Sequence, residues 1–203
     1  MIEPIPQWSK NVFQGLVYWI GYKEQIYRHY PIREGEIVGE LLTLLSSKID
    51  KSLRIDAEVM YKKLSKQWKG NHRADIIISK NNNNFNYIND ALFVIEVKRK
   101  EAPKNEVNED LKRLAKLKKN NKNIRCFLLY VSANERPKQF VDESGKARKR
   151  KIKIDENYIA IVRQVTKAID KFYTLKNGKK INNAIDKAHY ACFIEVKENK
   201  ITT

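Results

Sequence analysis

Two runs decide how this chain reads: His72-Arg73-Ala74-Asp75-Ile76-Ile77-Ile78-Ser79 and, across a polar loop, Ala91-Leu92-Phe93-Val94-Ile95-Glu96-Val97-Lys98. Both are short, apolar and rich in β-branched residues, which is the mark of buried strands rather than helices. The four asparagines Asn81 to Asn84 form the tip of the loop between them. Side chains alternate along a strand, so Glu96 and Lys98 emerge on one face while Val97 points into the core. If the two runs pair as neighbours, Asp75 approaches Glu96 at one end of the sheet. Two carboxylates and an amine then meet where apolar strands reach solvent. Such a carboxylate pair suits Mg²⁺, a hard cation that takes a few protein oxygens and keeps waters or phosphate oxygens as its other ligands. The lysine can hold a water and stabilise charge developing on phosphorus.

Outward from these strands the pattern is that of an α/β domain. Ser9 is placed to cap a helix carrying Val12, Phe13, Leu16, Val17 and Ile20. Ile37, Leu41, Leu44, Leu45 and Ile49 recur at helical spacing, predicting a helix over about Glu34 to Asp50 with Glu36 and Glu40 on an adjoining face. Leu53 to Met60 alternates with period two and reads as a strand. Val107, Leu111, Leu114 and Leu117 give a further helix, and Cys126 to Ser132 a further apolar strand. Asp155 is placed to cap a helix bearing Ile159, Val162, Val165, Ile169 and Phe172, and Tyr190 to Lys197 closes the chain as a strand. The expected architecture is one domain over residues 1–203 built on a central mixed sheet flanked by helices. Residues 1–33 are expected as an N-terminal helical extension and 134–156 as a basic loop or hairpin insertion.

Composition narrows the function. With 41 Lys+Arg against 24 Asp+Glu, the 203-residue chain carries +17 at pH 7 and a pI of about 9.7. An excess of that size opposes compaction and points to a polyanionic partner. Basic residues crowd Lys146, Arg148, Lys149, Arg150, Lys151 and Lys153, the segment best suited to meet DNA; arginines there could also pair with guanine. Its competing reading is a solvated loop. Two cysteines and seven glycines rule out a disulfide scaffold or zinc ribbon. Cys126 and Cys192 lie in apolar runs and read as buried, reduced thiols. No stretch is long and apolar enough to span a bilayer, and the N-terminus lacks a basic signal-peptide region, so a soluble, cytoplasmic protein of a prokaryote or phage is expected. His29 and His189 have no Cys or His partners at zinc-ligand spacing, and His72 reads as a turn histidine beside the site. No phosphate-binding G-x-x-x-x-G-K-[ST] loop and no G-x-S-x-G elbow is present.

The Asp-loop-Glu-x-Lys order, with an acidic helix upstream and a helix and strand downstream, resembles the PD-(D/E)XK nuclease superfamily over roughly Glu36 to Ser132. The resemblance implies a restriction-endonuclease-like fold, with Asp75 and Glu96 as Mg²⁺ ligands (Mn²⁺ able to substitute) and Lys98 as the catalytic lysine. Glu40, or Glu36 one turn earlier, would be the helix-borne acid that many members add. Ala74 stands where the motif has its proline. Asp110 and Leu114 stand where one branch has Gln and Tyr, which leaves the simpler restriction-enzyme-like branch. The function implied is a metal-dependent endonuclease cutting double-stranded DNA, foremost a type II restriction enzyme acting as a homodimer. The alternatives are a structure-selective repair or recombination nuclease and a non-catalytic DNA-binding module on the same fold.

The tripeptide alone is weak, and Glu195-Val196-Lys197 repeats it. The upstream acid of that copy would be Asp186, with no preceding apolar strand to make a hairpin. Asp56 and Glu58 share a strand face as another acidic pair but have no Glu-x-Lys beside them. The bland reading of Glu96 and Lys98 is a charged pair on an edge strand, which the apolar run around them disfavours.

Overall fold

A computed structural model describes residues 3–27, 31–169 and 184–199. Its helices are α1 (Trp8–Ile26), α2 (Glu34–Ser46), the short α3 (Tyr87–Asp90) and α4 (Lys104–Asn120). Its strands are β1 (Leu53–Met60), β2 (Arg73–Lys80), β3 (Ala91–Arg99), β4 (Arg125–Ser132), β5 (Ile152–Lys153), β6 (Tyr158–Ala168) and β7 (His189–Glu198). They form one seven-stranded sheet in the order β1-β2-β3-β4-β7-β6-β5. The β3–β4 pair is parallel, crossed over by α4, and every other pair is antiparallel. The sheet is therefore mixed and flanked by helices, as expected.

Each face of the sheet has its own core, which is why the central strands are apolar on both sides. On one face Val12, Phe13, Leu16, Val17 and Ile20 of α1 and Ile37, Leu41 and Leu45 of α2 pack on Ile76, Ile95, Val97, Phe127 and Phe193. On the other, Val107, Leu111 and Leu114 of α4 cover Val94, Leu128 and Ile194. The first helix, expected as an extension, thus supplies one side of the core together with α2. Gly15 lets α1 approach α2: a Cβ there would lie 2.9 Å from a Leu44 methyl. Cys126 and Cys192 are free and fully buried, and burial pushes both thiols up, Cys126 to about 12. No helix among the described residues is long and apolar enough to cross a membrane.

One element departs from the sequence expectation. The helix expected after Asp155 is the strand β6, and Phe172 lies outside the described residues. Asp155 still caps, but it caps a turn, accepting the Asn157 and Tyr158 amides. The β-branched residues Ile159, Ile161, Val162, Val165 and Thr166 favour a strand, and β7 supplies a partner along its whole length. A register shift between Val162 and Gln164 breaks the alternation and leaves an apolar spacing that imitates a helix.

The expected insertion over 134–156 is mostly irregular. An isolated bridge joins Val141 to Ala147 around a turn whose Gly145 takes φ +77°, and β5 then pairs briefly with β6.

Candidate active site

The site lies where β2 and β3 pass between the two helical layers. β3 is third of seven strands, not an edge, so its polar residues are enclosed by the fold. Ile95 and Val97 face the α1/α2 core, which sends Glu96 and Lys98 to the α4 side. Asp75, on the neighbouring β2, accepts a hydrogen bond from the Val97 amide at 2.6 Å. That bond fixes its carboxylate beside the residue that follows Glu96.

Glu96 is buried at 3% exposure, and its Oε1 accepts from the hydroxyl of Tyr61, which is itself fully buried and stacked on Trp68. Burial pushes Glu96 up, the Asp75 charge adds to this, and together they carry it to about 8 against the opposing pull of the Tyr61 hydroxyl and Arg113. Burial also raises Asp75, and the Val97 amide and the Lys98 charge only partly offset it. The two carboxyls are close enough to share a hydrogen bond with each other. At neutral pH the buried pair therefore keeps a proton. A hard divalent cation is the kind of group that would displace it.

Lys98 is held from two sides. Its Nζ donates to Glu34 Oε1 at 2.7 Å and stands 3.4 Å from Asp110 Oδ2 on α4. Asp110 has no exposed surface and also forms an ion pair with Arg113 one turn on. The lysine is therefore anchored between α2 and α4 rather than waving into solvent. Lys98 and Glu34 both act on Asp75 through their charge, which places them in the same cluster.

The acid that α2 delivers is Glu34, which the sequence does not single out. Glu36 turns back on its own helix, accepting the Arg33 amide at 2.9 Å and pairing with Lys23. Glu40 makes no ion pair or side-chain hydrogen bond with another described residue. Six residues from Glu34, it points about a third of a turn away around the helix. Tyr61, Asp110 and Arg113 are likewise site residues that the sequence does not announce. Only Asp110 leaves a trace there, as the departure from Gln in the helix after Lys98. Among the described residues no group of three or more His, Cys, Asp or Glu is arranged to hold a metal ion; the carboxylates of the pair are two.

The second tripeptide has a different environment. Glu195 is buried at 2% exposure and bonded to Arg125 at 2.8 Å and to Arg163, with Lys197 3.5 Å away. Its charge is neutralised by cations, whereas Glu96 faces another acid. Asp186 is occupied by Arg136 at 2.6 Å. Asp56 is paired with Arg54 on the outer strand β1, and His72 is exposed at the edge of Trp68. His29 lies outside the described residues.

In the basic segment, Lys146, Lys149, Arg150, Lys151 and Lys153 are exposed. Arg148 instead turns inward, its Nε donating to the Val141 carbonyl at 3.3 Å. Lys151 also lines a cleft of about 580 Å³ with Lys118, Lys122, Arg125 and Lys197, in which Glu3, Glu195 and Glu198 are the acids.

The fold and site together describe a mixed α/β domain with a buried carboxylate pair and a pinned lysine on its central strands. No family model matches the chain, and no curated protein matches it. Among solved structures it is similar to NucC of P. aeruginosa ATCC27853 in its cAAA-bound form, with 12% identity and a TM-score of 0.35. The match covers 58% of this chain and 52% of that one. So distant a likeness carries no weight in assigning a function.

Proposed function

We propose that this chain is a metal-dependent DNA endonuclease that hydrolyses phosphodiester bonds, in the manner of a type II restriction enzyme cutting a short duplex sequence as a homodimer. The observation that carries the reading is the buried Asp75–Glu96 pair beside Lys98. Neither acid forms an ion pair with a described residue, whereas Glu195 is bonded to two arginines. The donor set, carboxyl oxygens of two neighbouring acids, fits Mg²⁺ or Mn²⁺ held by Asp75 and Glu96. When bound, such an ion supplies Lewis-acid polarisation of the phosphoryl group and lowers the pKa of a bound water.

The chain's own residues do the rest. The Val97 amide and the Tyr61 hydroxyl hold the two carboxylates in place. Lys98, pinned by Glu34 and Asp110, presents its side-chain nitrogen to the phosphate and stabilises the charge that grows on its oxygens. Attack of water on phosphorus forms one P–O bond as the bond to the leaving sugar oxygen breaks. The exposed lysines and Arg150 of the 146–153 segment neutralise flanking phosphates.

Incubation of supercoiled plasmid and of a branched DNA junction with the chain, in Mg²⁺ or in EDTA, tests the reading. Discrete plasmid fragments in Mg²⁺ alone are the expected result. Cleavage confined to the junction would make it a structure-selective nuclease. Binding without cleavage would make it a DNA-binding module, and full activity in EDTA would overturn the mechanism.

A further inference from the structure

Four of the five large hydrophobic side chains exposed among the described residues lie together at the end of α1: Tyr18 (64% exposed), Tyr22 (60%), Ile26 and Tyr27. Tyr18, Tyr22 and Ile26 belong to a longer stripe. Asn11, Gln14, Tyr18, Tyr22 and Gln25 recur at spacings of three and four, with Ile26 four residues beyond Tyr22, along the side of the helix opposite the buried Val12, Leu16 and Ile20. No Lys, Arg, Asp or Glu stands on that stripe, in a chain that is 32% charged and carries +17. Gly15, on the same side, is taken up by the α1–α2 crossing.

Two occupants suit tyrosines, and the charge decides between them. A nucleic acid needs cations for its phosphates, and the stripe offers none. A second copy of the chain needs the reverse. In a two-fold contact the residues at the axis meet their own twins, so a charge there meets its like. For a molecule with +17, a face without cations at its centre is where two copies meet with least repulsion. Depletion of charge with enrichment in tyrosine is also the composition of a protein interface core. We infer that the Tyr18–Tyr22–Ile26 stripe of α1 is the surface on which two copies of this chain pair about a two-fold axis. The inference gives the dimer of the proposed function its contact surface and rests on that reading for its purpose. The pairing itself stands on the stripe.

Sedimentation velocity on the full chain in EDTA, from about 1 to about 100 μM, tests it. The expected species is twice the 23.9 kDa of one chain. Tyr22→Glu places two like charges near the axis and weakens self-association at least about tenfold, whereas Tyr22→Phe keeps the ring and the dimer. Since Tyr22 is exposed within one chain, both variants should fold like the parent, with Tyr22→Glu melting lower only by what the lost pairing contributes. A second measurement leaves the contact unbroken. Cys126 and Cys192 are buried, so Tyr22→Cys introduces the one accessible thiol among the described residues, and mild oxidation should cross-link it to its twin. A monomer at every concentration, or a dimer unmoved by Tyr22→Glu and unlinked through Tyr22→Cys, overturns the inference. So does a Tyr22→Glu variant that loses affinity for DNA with no change in mass. Plasmid cleavage is scored separately. A dimer that cuts nothing leaves this surface standing and rejects the nuclease, and a monomer that cuts does the opposite.

Discussion

The amide of Val97 donates to Asp75 Oδ2 at 2.6 Å, so β3 itself positions the carboxylate of its neighbour strand. The bond separates two jobs that one residue performs. Asp75→Asn keeps a carbonyl to accept from Val97 but removes the charge, so cleavage should be lost with little change in melting temperature. Asp75→Ala leaves the amide without its partner and should cost about 1–3 kcal/mol in addition. Plasmid cleavage and thermal melts on the pair read both effects. Cutting by Asp75→Asn at the parent rate would reject the role given to this carboxylate.

The burial of Glu96 sets a pH dependence whose sign is unusual for a carboxylate. Its pKa rises from 4.5 to about 8 on folding. Across that window the folded chain holds a proton that the unfolded chain has released, so stability falls as pH rises. Glu96→Gln keeps an oxygen for the Tyr61 hydroxyl and has nothing to titrate. It should match the parent near pH 4.5 and melt higher than the parent at pH 8. The difference between the two proteins isolates this carboxyl from the other raised acids, Asp75 and Glu24. Added Mg²⁺ should narrow the gap at the higher pH by binding the folded parent. Parallel melting curves for the two across the range would contradict the assigned environment.

Glu195 offers the matching control. Its carboxylate neutralises Arg125 and Arg163, whose side chains are 14% and 11% exposed. Glu195→Ala should therefore destabilise by about 3–5 kcal/mol, as breaking a buried pair does. Below its melting temperature the variant should still cut DNA at close to the parent rate. Glu96→Ala should show the reverse, a folded protein without cleavage. Loss of cutting by a folded Glu195→Ala would move the active site to the second tripeptide.

What the sequence displays of this molecule is what local pattern can encode. The apolar runs of β2, β3, β4 and β7 announce themselves, because strands buried on both faces leave little room for polar residues. Choosing Asp75 and Glu96 over the second tripeptide also rests on a local feature, the strand–loop–strand order. Glu34 is hidden for a different reason. An acid in the first turn of a helix reads as a favourable interaction with the helix dipole, and nothing local says that the start of α2 reaches Lys98. Tyr61 sits in a short 3-10 turn after β1, where its hydroxyl's route to Glu96 depends on how β1 and β3 flank β2. β6 reads as a helix because its register shift erases the alternation that marks a strand.

The basic segment gives the last test, and the structure divides it. Arg148 donates to the Val141 carbonyl and helps hold the segment's fold, so Arg148→Ala should lower stability more than it lowers DNA affinity. Lys149, Arg150 and Lys151 are exposed, and Lys151 borders the cleft shared with Lys118, Lys122, Arg125 and Lys197. Each of the three that meets a phosphate releases counterions on binding. Replacing all three with alanine should weaken binding to duplex DNA and flatten the dependence of log K on log salt by about 0.9 for each phosphate no longer neutralised. The Mg²⁺ requirement should not move, because Asp75 and Glu96 lie on other elements. Titrations in EDTA at several salt concentrations separate the outcomes. A reduced slope places the segment on the DNA backbone, whereas an unchanged slope with unchanged affinity leaves it a solvated loop.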